Sequence, residues 1–285
     1  MPTVPVDAEG TRLYYEERGS GAPLLLIHAN GGHLGMFTGV VERLASSYRV
    51  ITYDRRGFGR SETPPPPAKD YLRRHADDAA ALLREIGAPR ATVVGWSMGG
   101  VVALALALHH SDAASRLVLY EAPLHAKKHM GVRLASAMGG AIALGKVGMH
   151  RRGAKRFLRF ALGYSKGGGA FDELEPKLRE SMLASARTII AELEAGTGEE
   201  LSLGDLAKIR CPVGIVVGTR SARFLTAAAD RCAAIFPSAR IVRMPNGDHV
   251  MNVRQPDVLV RAVEDRSRRA QRSADDELHS PLMIC

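Results

Sequence analysis

One five-residue stretch, Gly95-Trp96-Ser97-Met98-Gly99, restricts what this chain can fold into more than any other. It closes the apolar run Ala91-Thr92-Val93-Val94 and precedes a second apolar stretch over residues 101–108. A strand that turns so tightly into a helix leaves no room for large side chains at the flanking glycines, and it strains the backbone of the central serine. The strain lifts the serine hydroxyl to the carboxyl end of a sheet. It also aims the first N–H groups of the helix at developing negative charge. The same pattern occurs in ordinary glycine-rich turns, so the reading depends on the flanking elements and on residues able to serve the serine.

The rest of the chain supplies the elements. Segments 3–7 and 12–18 read as a hairpin joined at Glu9-Gly10. Residues 23–27 form a continuous apolar run, as in a strand buried on both faces. Further strands are expected over 49–53, 91–94, 116–120, 212–217 and 239–244. Helices are expected over 34–46, 70–86, 222–236 and 256–268, with Gly87 and Pro89 closing the second. Strands alternating with helices imply an α/β fold, a mainly parallel sheet covered on both faces. The interval 123–209 breaks the alternation. It is glycine-rich and helical in pattern, and it reads as a lid over the carboxyl end of the sheet. The expected division is a core of 1–122 and 210–268, a helical lid or cap insertion of 123–209, and a polar, poorly ordered tail of 269–285. Pro64-Pro65-Pro66-Pro67 reads as a stiff surface connection.

Composition narrows the function classes. The length suits one large domain or a core with an inserted cap. No apolar stretch is long enough to span a bilayer. The opening Met1-Pro2-Thr3-Val4-Pro5 has no basic segment followed by an apolar one, so no signal peptide is expected. Cys211, Cys232 and Cys285 are odd in number and scattered, which points to a reducing, cytoplasmic setting and gives no zinc spacing. The net charge of +9 is unevenly spread. Residues 122–171 hold Lys127, Lys128, Arg133, Lys146, Arg151, Arg152, Lys155, Arg156, Arg159 and Lys166, with no Asp or Glu. Such a run is either a solvated face or a basic surface that receives an anionic substrate or an acidic partner. Nucleic acid is not expected, since no binding motif accompanies the charge and aromatics are few.

Ser97 needs a base, an acid to orient that base, and an oxyanion hole. His249 is the best base. It follows the last expected strand in Met244-Pro245-Asn246-Gly247-Asp248-His249 and fits the chain order serine, acid, histidine. His109 and His110 lie at the far end of the helix after Ser97, His75 lies in another helix, and His125, His129 and His150 belong to the 123–209 interval. The oxyanion hole would combine the Met98 N–H with one from His28-Ala29-Asn30-Gly31-Gly32, Asn30 giving the second donor through its main chain. His28 reads as a structural residue of that loop.

On these residues the chain resembles the α/β-hydrolase superfamily over residues 13–265. Four features carry the resemblance: the loop His28-Ala29-Asn30-Gly31-Gly32, the stretch Asp54-Arg55-Arg56-Gly57-Phe58-Gly59-Arg60-Ser61, the turn around Ser97, and His249. Ala29 replaces the glycine the family usually carries. The resemblance implies a parallel sheet of about eight strands, no metal, no organic cofactor, and ester, thioester or amide hydrolysis. It implies a structural role for the 54–61 stretch. Ser97 argues against dehalogenase or epoxide hydrolase chemistry, which would use an aspartate nucleophile.

The acid departs from the family pattern. An aspartate commonly follows the strand represented here by 213–217, but this chain reads Gly218-Thr219-Arg220-Ser221-Ala222-Arg223. Ser221 stands near the expected place, Asp230 is too far into the next helix, and Asp248 adjoins His249 so that its side chain should point elsewhere. Glu121, directly after strand 117–120, is the substitute, since some family members place the acid there. The alternative is a hinge residue paired with an arginine. The leading reading is a serine hydrolase that cleaves a small-molecule carboxylic ester or thioester through an acyl-enzyme. A non-hydrolytic enzyme of the same fold (cyclisation, C–C cleavage or peracid formation) and a ligand-binding protein with a decayed triad are the alternatives.

Overall fold

The apolar runs become strands because each has elements to cover both of its faces. A computed structural model describes residues 2–61, 68–129 and 131–264. The order is β1 (Thr3–Pro5), β2 (Arg12–Arg18), β3 (Ala22–Ile27), α1 (Thr38–Leu44), β4 (Tyr48–Tyr53), α2 (Tyr71–Glu85), β5 (Ala91–Trp96), α3 (Met98–His109) and β6 (Ala114–Tyr120). Helices α4 (Val132–Lys146), α5 (His150–Ala161), α6 (Ala170–Glu173), α7 (Pro176–Ala184), α8 (Ala186–Ala195) and α9 (Leu203–Leu206) follow. The chain then returns through β7 (Val213–Gly218), α10 (Arg223–Ile235), β8 (Arg240–Met244), α11 (Met251–Arg254) and α12 (Pro256–Glu264).

The eight strands form one sheet in the order β1-β2-β4-β3-β5-β6-β7-β8. β2 runs antiparallel to β1 and to β4, and the remaining pairs are parallel. Successive side chains point to opposite faces. Leu25 and Ile27 therefore join a core with α2, α3 and α10, while Leu24 and Leu26 join one with α1 and α12. Register aligns the strand ends that matter: Ile27 lies beside Gly95, Trp96 beside Tyr120, and Gly218 beside Met244. The residues that follow them emerge in a row along the carboxyl edge, where open α/β sheets bind ligands.

Two expectations change in detail, and a third, the final helix over 256–268, extends past the described residues. Segment 34–46 splits into a 3-10 turn, Leu34–Phe37, and the shorter α1. The His33 ring accepts the Gly35 N–H and starts that turn, and Gly35 and Gly39 weaken a continuous helix. The strand expected over 91–94 extends to Trp96, because Gly95 still pairs with Ile27 and Leu119. The final helix is described to Glu264. The Pro64–67 connection and the 269–285 tail lie outside the described residues.

Between β6 and β7 the described residues form helices and no strand, with only isolated bridges such as Tyr164 to Ser221. Small residues let these helices approach closely: a Cβ on Gly153 would lie 2.5 Å from the Ala141 carbonyl oxygen, and one on Gly145 2.6 Å from Ile190. A buried ion pair fastens this segment to the sheet. The Arg55 guanidinium, after β4, donates to both carboxylate oxygens of Glu192 on α8 at 2.6 and 3.1 Å. Tyr71 adds a hydroxyl donor at 2.7 Å. The two ionic side chains are 0 and 1 % exposed.

Candidate active site

The turn after β5 has the strain its sequence implies. Ser97 sits at φ 53° and ψ −122°, a region side chains rarely adopt. A Cβ on Gly95 would lie 2.3 Å from the Gly99 carbonyl oxygen, and one on Gly99 would lie 2.1 Å from that of Ile27. Glycine is therefore required by close approach at both positions. The Ser97 N–H donates to the Tyr120 carbonyl at 2.8 Å, which locks the turn to the neighbouring strand.

Glu121 leaves β6 in a second left-handed conformation, φ 50°. Its carboxylate is buried and fully occupied. Oε2 lies 2.5 Å from His249 Nδ1, while Oε1 accepts the Gly218 N–H at 2.7 Å and the Ser221 hydroxyl at 2.5 Å. Glu121 makes no ion pair with an arginine among the described residues. Ser221, considered only as the residue standing where an aspartate was expected, instead donates to the glutamate that faces His249. Asp248 turns away, accepting from the Val250 N–H and from Arg254, both at 3.0 Å. Asp230 is exposed on α10 and pairs with Arg243.

Two aromatic residues that sequence reasoning missed hold the His249 loop. Trp96 Nε1 donates to the His249 carbonyl at 2.8 Å. The Tyr120 hydroxyl donates to the Asp248 carbonyl at 2.8 Å and accepts the Met251 N–H at 2.9 Å. Burial, then the Glu121 and Asp248 carboxylates, push the Tyr120 phenol well above its ordinary pKa, so it stays a donor. The available signal was position: each precedes a singled-out residue, and buried indole N–H and phenol groups need partners.

Ser97 and His249 line the same pocket, with no hydrogen bond between them among the described residues. Such contacts are often long until a substrate binds. Met98 and Asn30 line the pocket beside Ser97. The Met98 N–H belongs to the first turn of α3, where donors have no partner within the helix. Asn30 stands at the tip of a turn closed by the Gly32 N–H on the Ala29 carbonyl at 3.0 Å. Its side-chain amide donates to Ile189 at 3.4 Å, and its Oδ1 is buried without a partner.

His28 supports this loop from below. Its Nδ1 faces the Ala29 carbonyl at 2.8 Å and its Nε2 accepts the Arg55 N–H at 2.9 Å, which sets one neutral tautomer. Burial, then the Arg55 charge, lower its pKa well below the usual value. The 54–61 turn is likewise tied down. Asp54 accepts the Leu34 and Arg60 N–H groups, each at 2.8 Å, and the Ser61 hydroxyl donates to the Asp54 carbonyl at 2.6 Å.

The pocket walls are chiefly apolar, with Leu134, Met138, Phe157, Leu158, Met182 and Leu193 contributed by the helical segment. Of the polar lining, Glu192 is engaged by Arg55 and Thr197 by Glu199. Ser97, His249 and Asn30 are left to meet a ligand. No group of three or more His, Cys, Asp or Glu side chains able to hold a metal ion occurs among the described residues, and none of their helices is long and apolar enough to cross a membrane.

A family model described as alpha/beta hydrolase fold matches residues 22–255. The chain is 29% identical over 255 residues to a pimeloyl-[acyl-carrier protein] methyl ester esterase of Aeromonas hydrophila, covering 87% of this chain and 96% of that protein. It is 38% identical over 112 residues to the uncharacterized hydrolase YraK of Bacillus subtilis, covering 39% of this chain and 41% of that protein. For that and other relatives matched over short stretches, the similarity spans about two fifths of their length. Among solved structures, a thermophilic esterase from Thermogutta terrifontis superposes with a TM-score of 0.76 at 24% identity, covering 94% of this chain and 99% of that one. An enol-lactonase from Burkholderia xenovorans LB400 superposes with a TM-score of 0.75 at 22% identity, covering 93% and 98%. At these identities the likeness is one of fold.

Proposed function

This chain belongs to the α/β-hydrolase fold family, and from that premise we propose that it is a serine hydrolase of small-molecule carboxylic esters or thioesters. The observation that carries the reading is the buried Glu121–His249 contact opening into the pocket that Ser97 lines. Ser97 Oγ attacks the substrate carbonyl while His249 takes its proton through Nε2. Glu121 holds Nδ1 and stabilises the imidazolium that forms. The Met98 and Asn30 N–H groups receive the oxyanion. Collapse of the tetrahedral adduct expels the leaving group, protonated by His249. A water activated by the same imidazole then hydrolyses the acyl-enzyme and restores Ser97.

The apolar walls suit an apolar acyl chain. The segment 123–209 serves as the lid in this reading, which its side chains lining the Ser97 pocket support. The similarity to a pimeloyl-[acyl-carrier protein] methyl ester esterase supports ester cleavage, and the basic run in 122–171 suits an anionic substrate or one borne by an acidic carrier.

A fluorophosphonate probe and a series of p-nitrophenyl esters test this reading. Wild-type protein should be labelled and should turn over at least one ester. Ser97→Ala should lose labelling and about 10⁴–10⁶ in turnover. Undiminished labelling of the alanine variant would remove Ser97 from the mechanism.

A further inference from the structure

Leu134 and Phe224 line two hollows at once. One is the apolar pocket around Ser97, and the other is an open groove between the start of α4, α5 and the start of α10. Phe224 stacks on Phe160 with ring centroids 5.5 Å apart, so the border residue is held by an apolar contact within the groove. Beyond it the groove is lined by Arg133, Arg156, Arg159 and Arg223, and no carboxylate is among its lining residues. Arg159 pairs with Asp172. Arg156 is steadied by the Ser136 carbonyl and hydroxyl at 3.3 and 3.2 Å. Arg133, Arg156 and Arg223 have no carboxylate partner among the described residues. A concave surface lined by one sign of charge concentrates ions of the other.

The position of the groove says which part of a substrate meets it. In the mechanism above, His249 protonates the leaving group, so the leaving group lies on the His249 side of the scissile bond. Phe224 lines the pocket together with His249 and also borders the groove. An acyl chain seated in the apolar pocket would direct the leaving group toward the border that Leu134 and Phe224 share with the arginine-lined groove. We infer that the groove is a leaving-group subsite for a thiol or alcohol that bears phosphate, the substrate being an acyl thioester or ester of such a carrier. For a thioester, Ser97 Oγ bonds to the carbonyl carbon and the C–S bond breaks. The proton held by His249 passes to sulfur, and water releases the acid. This inference rests on the serine-hydrolase reading.

Two thioesters with the same acyl chain separate the two ideas: butyryl-coenzyme A, whose leaving group carries phosphates, and butyryl-N-acetylcysteamine, whose leaving group carries none. Wild-type kcat/KM at low salt should favour the coenzyme A ester by about tenfold, from several exposed charges each worth a few-fold. The preference should shrink as salt screens the groove. In Arg133→Glu/Arg223→Glu it should vanish, with the N-acetylcysteamine rate unchanged. A wild-type ratio near one, or a ratio that survives the double substitution, overturns the subsite. If p-nitrophenyl butyrate is hydrolysed while neither thioester beats its spontaneous rate, the subsite falls and the hydrolase reading stands. If no ester is cleaved and the fluorophosphonate does not label, both fall.

Discussion

At the residue scale, Glu121 joins two constraints that would separately be tolerable. Its left-handed backbone costs of order 1 kcal/mol or more, and its carboxylate is buried. Three donors compensate, His249 on one oxygen and Gly218 and Ser221 on the other. Glu121→Gln keeps the shape and removes the charge. The imidazole then loses its charged partner and preferred tautomer, and turnover should fall by about 10²–10⁴ with KM little changed. Ser221→Ala removes one neutral donor of three. It should cost about tenfold, the scale of one hydrogen bond to a charged group. Steady-state kinetics on a p-nitrophenyl ester compares the two, and equal losses would mean that the charge of Glu121 is not what matters.

At the element scale, the ends of β5 and β6 carry Ser97 and Glu121 and the aromatic residues that hold the His249 loop. Tyr120→Phe removes the hydroxyl that bridges Asp248 and Met251. Two buried backbone groups lose a partner, so unfolding free energy should drop by about 1–3 kcal/mol. Turnover should drop as His249 loses its fixed place, while KM holds. A variant with wild-type kcat would detach Tyr120 from the positioning of His249. The turn at Ser97 was legible because its glycine spacing is local, while Glu121 stood out by its place directly after an apolar strand together with the resemblance to a family that can carry its acid there. The partners of these residues were not legible, because they arrive from elsewhere in the chain. Ser221 lies 100 residues from Glu121, and the Tyr120 hydroxyl reaches a carbonyl 128 residues away. The helices between β6 and β7 showed a helical pattern, but how they pack together involves close contacts at Gly145 and Gly153 that no local signal reveals.

At the scale of the whole molecule, two buried arginines tie distant parts together. Arg55 and Glu192 join the sheet to α8. Glu192→Ala leaves a guanidinium buried without its partner and should cost about 3–5 kcal/mol in urea unfolding. Arg55→Leu/Glu192→Leu should recover much of that loss. A double variant as unstable as the single one would contradict this account. Arg56 links Asp7, after β1, to Asp78 on α2. Burial raises the Asp7 pKa, but hydrogen bonds from Arg56 and Thr11 outweigh it and bring it to about 2. A depressed folded pKa contributes stability that is full above the unfolded value of about 3.9 and lost as pH falls through the folded one. Burial pushes Asp78 the other way, so the substitution has to be made at Asp7. The stability gap between wild type and Asp7→Asn should be about 1 kcal/mol near neutrality and should close between pH 4 and 2. A gap independent of pH over that range would assign it to packing.

The meeting of Glu121 and Ser221 also bears on how such a chain can change over generations. β6 and β7 are neighbours, and the loops leaving them converge on one spot beside His249. That spot is reached by side chains from two places far apart in the gene. A carboxylate can be gained on one loop before it is lost from the other, with an imidazole beside it throughout. The order in which such residues appear along a chain is therefore free to drift, while their arrangement in space is inherited.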